Sequence, residues 1–140
     1  MERKIKMISS NKLFTTKQYI YLLLFFVLSA CTGHSISEEE FSSSTWRQDK
    51  NGCSGERLKI QGNLEAVKDQ LIGLSETEIR SLLGAPDKVQ LFERSQKFYI
   101  YFIEPGAQCE EKEGKEGKSY HIRFNSINQV NEVSLVLPSS

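Results

Sequence analysis

The chain has 140 residues and equal numbers of basic and acidic side chains, 18 of each, so its formal net charge is zero. Five of the basic residues but a single acid, Glu2, lie within the first 30 positions, and the rest of the chain is therefore net acidic. This excludes a strongly basic nucleic-acid-binding protein, because no excess of positive charge remains to neutralise phosphates. The length predicts one domain, and 10% aromatic residues exclude a disordered acidic tail.

A short apolar run near the N-terminus predicts export. Residues 19–28 are apolar and follow a cationic segment, but they are too few for a membrane-spanning helix, which needs about 20. The run ends in Leu28-Ser29-Ala30-Cys31, which resembles the lipobox of bacterial lipoproteins. We therefore expect residues 1–30 to be a lipoprotein signal peptide. The alternatives are a plain signal peptide with an incidental cysteine and an uncleaved anchor.

The lipobox resemblance implies a membrane anchor on Cys31. In that family the thiol, reactive as its thiolate, receives a diacylglyceryl group and the new N-terminus is acylated, and two or more acyl chains anchor a protein stably. Thr32, rather than an aspartate, implies the outer membrane of a Gram-negative cell, and we expect the periplasmic face rather than the cell surface. Residues 31–45 are polar and rich in Ser and Glu, which predicts a flexible tether before a domain of residues 46–140.

Two further cysteines, Cys53 and Cys109, fit an exported domain. An even pair in a small secreted chain predicts a disulfide, and two free buried thiols are the alternative. The sequence shows no Cys/His spacing typical of a metal site. We therefore expect neither a metal nor a cofactor.

Two helices are predicted upstream of a sheet. The first has a single apolar face and ends near Gly73; that face consists of Leu64, Val67, Leu71 and Ile72. The second begins with a capping box formed by Ser75 and Glu78. It ends at Gly84, because glycine suits a helix C-terminus and Pro86 prevents continuation.

Three strands are predicted downstream, over residues 97–103, 119–124 and 129–137, because their side chains are β-branched and aromatic or alternate with period two. The odd spacing of Val130 and Val133 requires a bulge between them. Residues 89–92 are either a further edge strand or an extended lead-in, and the charged residues 110–118 read as a surface loop. The predicted fold is α+β, with two N-terminal helices packed on a three-stranded antiparallel sheet.

Four short segments resemble the SmpA/OmlA (BamE-like) family of small outer-membrane lipoproteins. They are Leu-Ile-Gly-Leu-Ser at 71–75, Leu-Leu-Gly-Ala-Pro-Asp at 82–87, Phe-Tyr-Ile-Tyr at 98–101 and Ile-Arg-Phe-Asn at 122–125. The resemblance spans residues 64–137 and implies the same arrangement of two helices on a three-stranded sheet. It further implies an accessory role to the β-barrel assembly machine, in outer-membrane protein assembly or envelope integrity. The pair Cys53 and Cys109, the lead-in 46–57 and the loop 110–118 depart from the family pattern.

The sequence gives catalysis little support. It contains no GxSxG, HExxH or Cys–His arrangement, and His121 reads as a surface residue of a strand. Glu76 and Glu78 look like paired carboxylates, but acidic residues are favoured in the first turn of a helix for capping and dipole reasons. We therefore expect no catalytic residues. An enzyme or ligand-binding lipoprotein would instead need a deep pocket with converging polar groups.

Strand 97–103 predicts a binding surface because it is apolar on both faces, and two helices can cover only one of them. The other face would expose Tyr99, Tyr101 and Ile103, and exposed aromatic patches usually mark contact sites. Alternatively, the lead-in containing Trp46 covers this strip. We expect these four residues to be candidates for binding envelope proteins. The alternative function is a proteinaceous inhibitor of a periplasmic or secreted enzyme, since the same unit, duplicated, resembles the β-lactamase inhibitor architecture.

Overall fold

A computed structural model describes residues 35–110 and 112–138. The fold below is that of the compact unit that begins at Ile36. The predicted signal peptide and Cys31 lie outside the described residues. Across those two ranges, no helix combines the length and apolar character needed to cross a membrane.

Within the described residues, four short α-helices precede the sheet: α1 (Ser43–Gln48), α2 (Glu56–Lys59), α3 (Gln61–Val67) and α4 (Glu76–Leu83). Turns of 3₁₀-helix, Lys50–Gly52 and Lys68–Leu71, follow α1 and α3. The first predicted helix is therefore α3 with its 3₁₀ extension, and the second is α4. Helices α1 and α2 were not predicted, because the lead-in lacks a helical apolar period.

The predicted capping box of α4 is confirmed. Ser75 Oγ accepts a hydrogen bond from the Glu78 N–H at 3.4 Å, and the Glu78 carboxylate accepts one from the Ser75 N–H at 2.7 Å. The helix ends at Gly84, whose φ of 79° lies in the region that favours glycine. Local sequence therefore fixes both ends of this helix.

The sheet consists of β1 (Lys88–Phe92), β2 (Gln96–Phe102), β3 (Ser119–Phe124) and β4 (Val130–Val136), paired antiparallel in chain order. The α+β class is thus confirmed, but the sheet has four strands rather than the three expected. The additional strand is β1, which the sequence left open between an edge strand and a lead-in. All five of its side chains are exposed, so no alternating burial pattern marks it.

A bulge interrupts β4 where the sequence required one. Phe124 pairs with Val130 and Arg123 with Glu132, which leaves Asn131 as the extra residue. The bulge lets Val130 be buried although its spacing from Val133 is odd. The prediction of a register shift between these two valines is confirmed.

The core lies between the helices and one face of the sheet, which we call the inner face. Tyr120, Ile122 and Phe124 of β3 point into it and are at most 1% exposed, as their alternation predicted. The lead-in also contributes, because Phe41 is fully buried against Trp46 with ring centroids 5.5 Å apart. The folded unit therefore begins at Ile36 rather than at Trp46, and much of the predicted tether belongs to the fold.

Candidate interaction surface

The four predicted binding residues are all buried. Tyr99 is 4% exposed, and Tyr101, Ile103 and Trp46 are fully buried in one core cluster. Trp46 of α1 packs over Tyr101 with ring centroids 6.3 Å apart. The strip lies on the inner face, where helix α4 covers it together with the lead-in. The sequence had left open only an exposed strip or one covered by the lead-in. Burial leaves these residues without the exposed surface that a partner would contact.

The tyrosine hydroxyls instead fasten the helices to the sheet. Tyr99 donates to the Glu76 carboxylate at the start of α4, and Tyr101 donates to the Gly84 carbonyl at its end at 2.9 Å. Tyr120 donates to Glu65 of α3 at 2.8 Å. Burial raises the pKa of both Tyr101 and Tyr120, so these hydroxyls stay protonated donors. Their role in this fold is structural.

A buried ion pair holds the lead-in in place. The side chains of Arg57 and Asp87 are 2% and 1% exposed. Arg57 also donates to the carbonyls of Trp46 and Phe102, each at 2.9 Å. Asp87 accepts further hydrogen bonds from the N–H groups of Asn51 at 3.0 Å and Phe102 at 2.9 Å. This network joins the lead-in to β2, and sequence reasoning missed it because Arg57 and Asp87 carry no local signal of pairing.

Asp49 orders the lead-in around this ion pair. Burial raises its pKa, but hydrogen bonds from the Arg57 N–H and from Ser54, together with the Arg57 charge, more than offset that effect and hold the pKa below its ordinary value. Both N–H donors lie 2.9 Å from the carboxylate. Asp49 therefore remains ionised while almost fully buried.

The predicted disulfide between Cys53 and Cys109 is confirmed, with Cα atoms 5.8 Å apart. It joins the lead-in to the segment that follows β2. Gln108 adds to this attachment, since its amide donates to the Asn51 carbonyl at 3.1 Å and its oxygen accepts from the Gly117 N–H at 2.9 Å. Lead-in, loop and sheet are thus fastened to one another.

The other face of the sheet, the outer face, is partly covered by the charged loop 110–118. Lys88 lies opposite Ile100 and pairs with Glu116 of this loop, Nζ to Oε1, at 2.9 Å. A cleft of about 380 Å³ lies beside the contact. It is lined by Lys115, Glu116, Gly117, Ser119, His121, Val136, Leu137 and Pro138.

The side chains of this cleft give little support to a catalytic or metal-binding role. His121 Nε2 and Ser119 Oγ are 3.2 Å apart, and a nucleophile would need in addition a third group that orients its base. Burial lowers the pKa of His121, opposed by Glu116 and assisted by Lys88. Within residues 35–110 and 112–138, no three His, Cys, Asp or Glu side chains are grouped so as to hold a metal ion.

Arg123 covers the other end of the outer face. Its guanidinium lies 5.8 Å from the ring centroids of both Phe92 and Phe98, within the range of a cation–π contact. It also donates to Gln96 at 2.9 Å and to Glu132 at 3.3 Å. The outer face is therefore closed by the protein's own side chains over much of its length.

One exposed apolar surface lies on strand β1, at one edge of the sheet, and another lies at the end of β4, where Leu135, Val136 and Leu137 are 37%, 39% and 64% exposed. Val89 and Phe92 are each 51% exposed and Leu91 is 79% exposed. Among the described residues, no strand pairs with the free edge of β1, the edge that faces away from β2. An unpaired apolar edge is a template for strand pairing. The sequence identified residues 89–92 as an edge strand or a lead-in. It did not predict that their side chains are exposed, because that exposure depends on where the helices end.

Comparison with known protein families, curated proteins and solved structures finds no match for this chain. The resemblance to the SmpA/OmlA family therefore depends on the short motifs given above. The α+β class agrees with that resemblance, but it is shared by many unrelated proteins.

Proposed function

We propose that the protein is a lipid-anchored, non-catalytic protein-interaction module of the bacterial cell envelope. The observation that carries this proposal is the exposed apolar strand β1 on a frame held by the Cys53–Cys109 disulfide and the Arg57–Asp87 ion pair. A strand fixed in this way presents a pre-organised edge, which lowers the entropic cost of binding. An extended segment of a partner can then add to the sheet by strand pairing.

The envelope location is supported by two features of the chain. The disulfide fits an oxidising compartment outside the cytoplasm. The apolar run ending in Leu28-Ser29-Ala30-Cys31 supplies the means of export and anchoring. We place the anchor in the outer membrane, with the folded unit on the periplasmic face.

The resemblance to SmpA/OmlA lipoproteins supports a more specific role. In that role the protein is accessory to outer-membrane protein assembly or to envelope integrity. Its partners are envelope proteins with an exposed strand edge or an extended apolar segment, because these match β1 in shape and chemistry.

A photo-crosslinking side chain at Leu91, in the full chain expressed in cells, tests the proposal. The matched control is the same side chain at Ile127, which is 70% exposed but lies in the turn after β3. We expect capture of an envelope protein, a second copy included, from Leu91 and not from Ile127. Absence of any product from Leu91 would contradict the proposal. Capture of a hydrolase that loses activity when bound would favour the inhibitor function instead.

A further inference from the structure

We infer that the start of the folded unit, residues 36–44, lies against the lipid headgroups of the membrane that holds the anchor. The sequence predicted a tether over residues 31–45, whereas the compact unit begins at Ile36. This inference rests on the proposed function, because it takes Cys31 to carry the acyl chains. It goes further in naming a lipid surface as a contact of the folded unit and in assigning the end of the fold that meets it.

Residues 36–44 belong to the fold rather than to a tether. Ile36 packs against the core cluster, and Phe41 is fully buried within it. The Ser37 carbonyl accepts hydrogen bonds from the N–H groups of Glu40 at 3.1 Å and Phe41 at 3.0 Å. The chain is therefore fixed to the fold from Ile36 onward, and any free link to the anchor must end there.

The link that remains is short. Four residues, 32–35, separate Cys31 from Ile36. However they are arranged, the five Cα–Cα steps from Cys31 to Ile36 span at most about 18 Å. One headgroup layer is about 5–7 Å thick, which leaves on the order of 10–15 Å between the lipid surface and Ile36 once the length of the anchored side chain is included.

This gap is too small for a folded partner. A compact unit of about 100 residues has a radius of gyration of about 13 Å, so its full width exceeds the roughly 10–15 Å that the link allows. The longer tether that the sequence predicted, from Cys31 to Trp46, would have spanned about 50 Å and cleared such a partner. The surface that faces residues 36–44 is therefore lipid.

The polar character of this end keeps it at the level of the headgroups. Glu38, Glu39 and Glu40 are exposed. Hydrogen bonds from the backbone and the side chain of Ser44 lower the pKa of Glu38, so this carboxylate is ionised at neutral pH. Charged side chains are costly within the hydrocarbon. The fold therefore meets the surface of the bilayer without inserting into it.

Spin labels on the acylated full chain test the inference. The chain is purified from a Gram-negative host and reconstituted into vesicles of phosphatidylethanolamine and phosphatidylglycerol that contain a nickel-chelating lipid. Glu39→Cys carries the label at the start of the fold. Ile127→Cys carries it in the turn after β3 as the matched control, and both positions are exposed. Acylation of Cys31 and the Cys53–Cys109 disulfide leave each variant with one free thiol.

The control position lies at the far end of β3 from the start of the fold. Trp46 contacts Phe41 and also Tyr120 near the beginning of β3, with ring centroids 5.5 Å and 6.4 Å apart, whereas Ile127 follows the end of that strand. The span from Tyr120 to Phe124 alone is about 13 Å, so we expect nickel-induced relaxation at least about threefold greater at position 39 than at position 127.

A flexible insertion tests whether the short link is the cause. About 20 Gly and Ser residues between Ser35 and Ile36, with an r.m.s. length of about 25 Å, should lower the relaxation at position 39 at least about twofold. Equal relaxation at positions 39 and 127, or a value at position 39 that the insertion leaves unchanged, would overturn the inference alone if Cys31 carries its acyl chains. A purified chain without acyl chains would contradict the proposed function as well.

Discussion

The Asp87 carboxylate compensates the buried charge of Arg57 and accepts hydrogen bonds from two backbone N–H groups. Replacing it with alanine leaves the guanidinium uncompensated and both N–H groups unsatisfied. We expect Asp87→Ala to lower the free energy of unfolding by about 3–5 kcal/mol, measured by urea denaturation.

A matched control is Glu56→Ala, which removes an ion pair with Lys59 whose side chains are 44% and 69% exposed. Such a surface pair contributes less than about 1 kcal/mol. Equal losses from the two substitutions would contradict the structural role assigned to Asp87.

We expect a single residue, His121, to make the free energy of unfolding depend on pH. Burial lowers its pKa, so as the pH falls below the unfolded value of about 6.5 the unfolded chain binds the proton first. The contribution of the neutral His121 ring to the free energy of unfolding is complete above that pH. It is lost as the pH falls through the pKa of His121 in the folded chain. We expect the urea midpoint to fall between pH 7 and pH 5, and His121→Gln to reduce that fall. Parallel pH profiles for the two proteins would rule out this role.

At the scale of elements, the turn joining β1 to β2 contains avoidable strain. Arg94 and Ser95 have φ values of 55° and 60°, a conformation that favours asparagine and glycine. Replacing the pair by Asn-Gly should raise the free energy of unfolding by about 0.5–1 kcal/mol, measured by thermal and urea denaturation. Asn-Gly in place of Ser126-Ile127, neither of which has a positive φ, is the control. A comparable gain there would show that backbone strain is not the cause.

Elements with local signals were predictable from the sequence, and those set by distant contacts were not. The ends of α4 follow from Ser75, Glu78 and Gly84, and the bulge in β4 follows from the spacing of two valines. By contrast, α1 carries no helical period, and its position depends on packing of Trp46 against the sheet. Strand β1 gave no burial pattern because its side chains face solvent.

At the scale of the whole molecule, the covering of the tyrosine strip is decided by pairs far apart in the sequence. Arg57 and Asp87 are 30 residues apart, and the two bonded cysteines are separated by 56. Composition and periodicity report local preference, so they left open whether Tyr99 and Tyr101 are exposed or covered by the lead-in. For this reason the candidate interaction surface in the structure is β1, whereas the sequence predicted the tyrosine strip.

The disulfide should contribute strongly to the stability of the whole folded unit. A bridge over a separation of 56 residues restricts the unfolded chain by about 4 kcal/mol in the chain-entropy model. We expect the Cys53→Ser, Cys109→Ser double variant to lose about that much in urea denaturation. The unsubstituted protein, measured with reductant, should match the variant. An unchanged midpoint in the variant would show that the other lead-in contacts suffice.

Anchoring at Cys31 is the central claim, and intact-mass spectrometry of the chain isolated from cells tests it most directly. We expect a membrane-bound protein that begins at Cys31 and carries the mass of a diacylglyceryl group with an acylated N-terminus. A soluble chain that retains residues 1–30 and an unmodified Cys31 would contradict the claim.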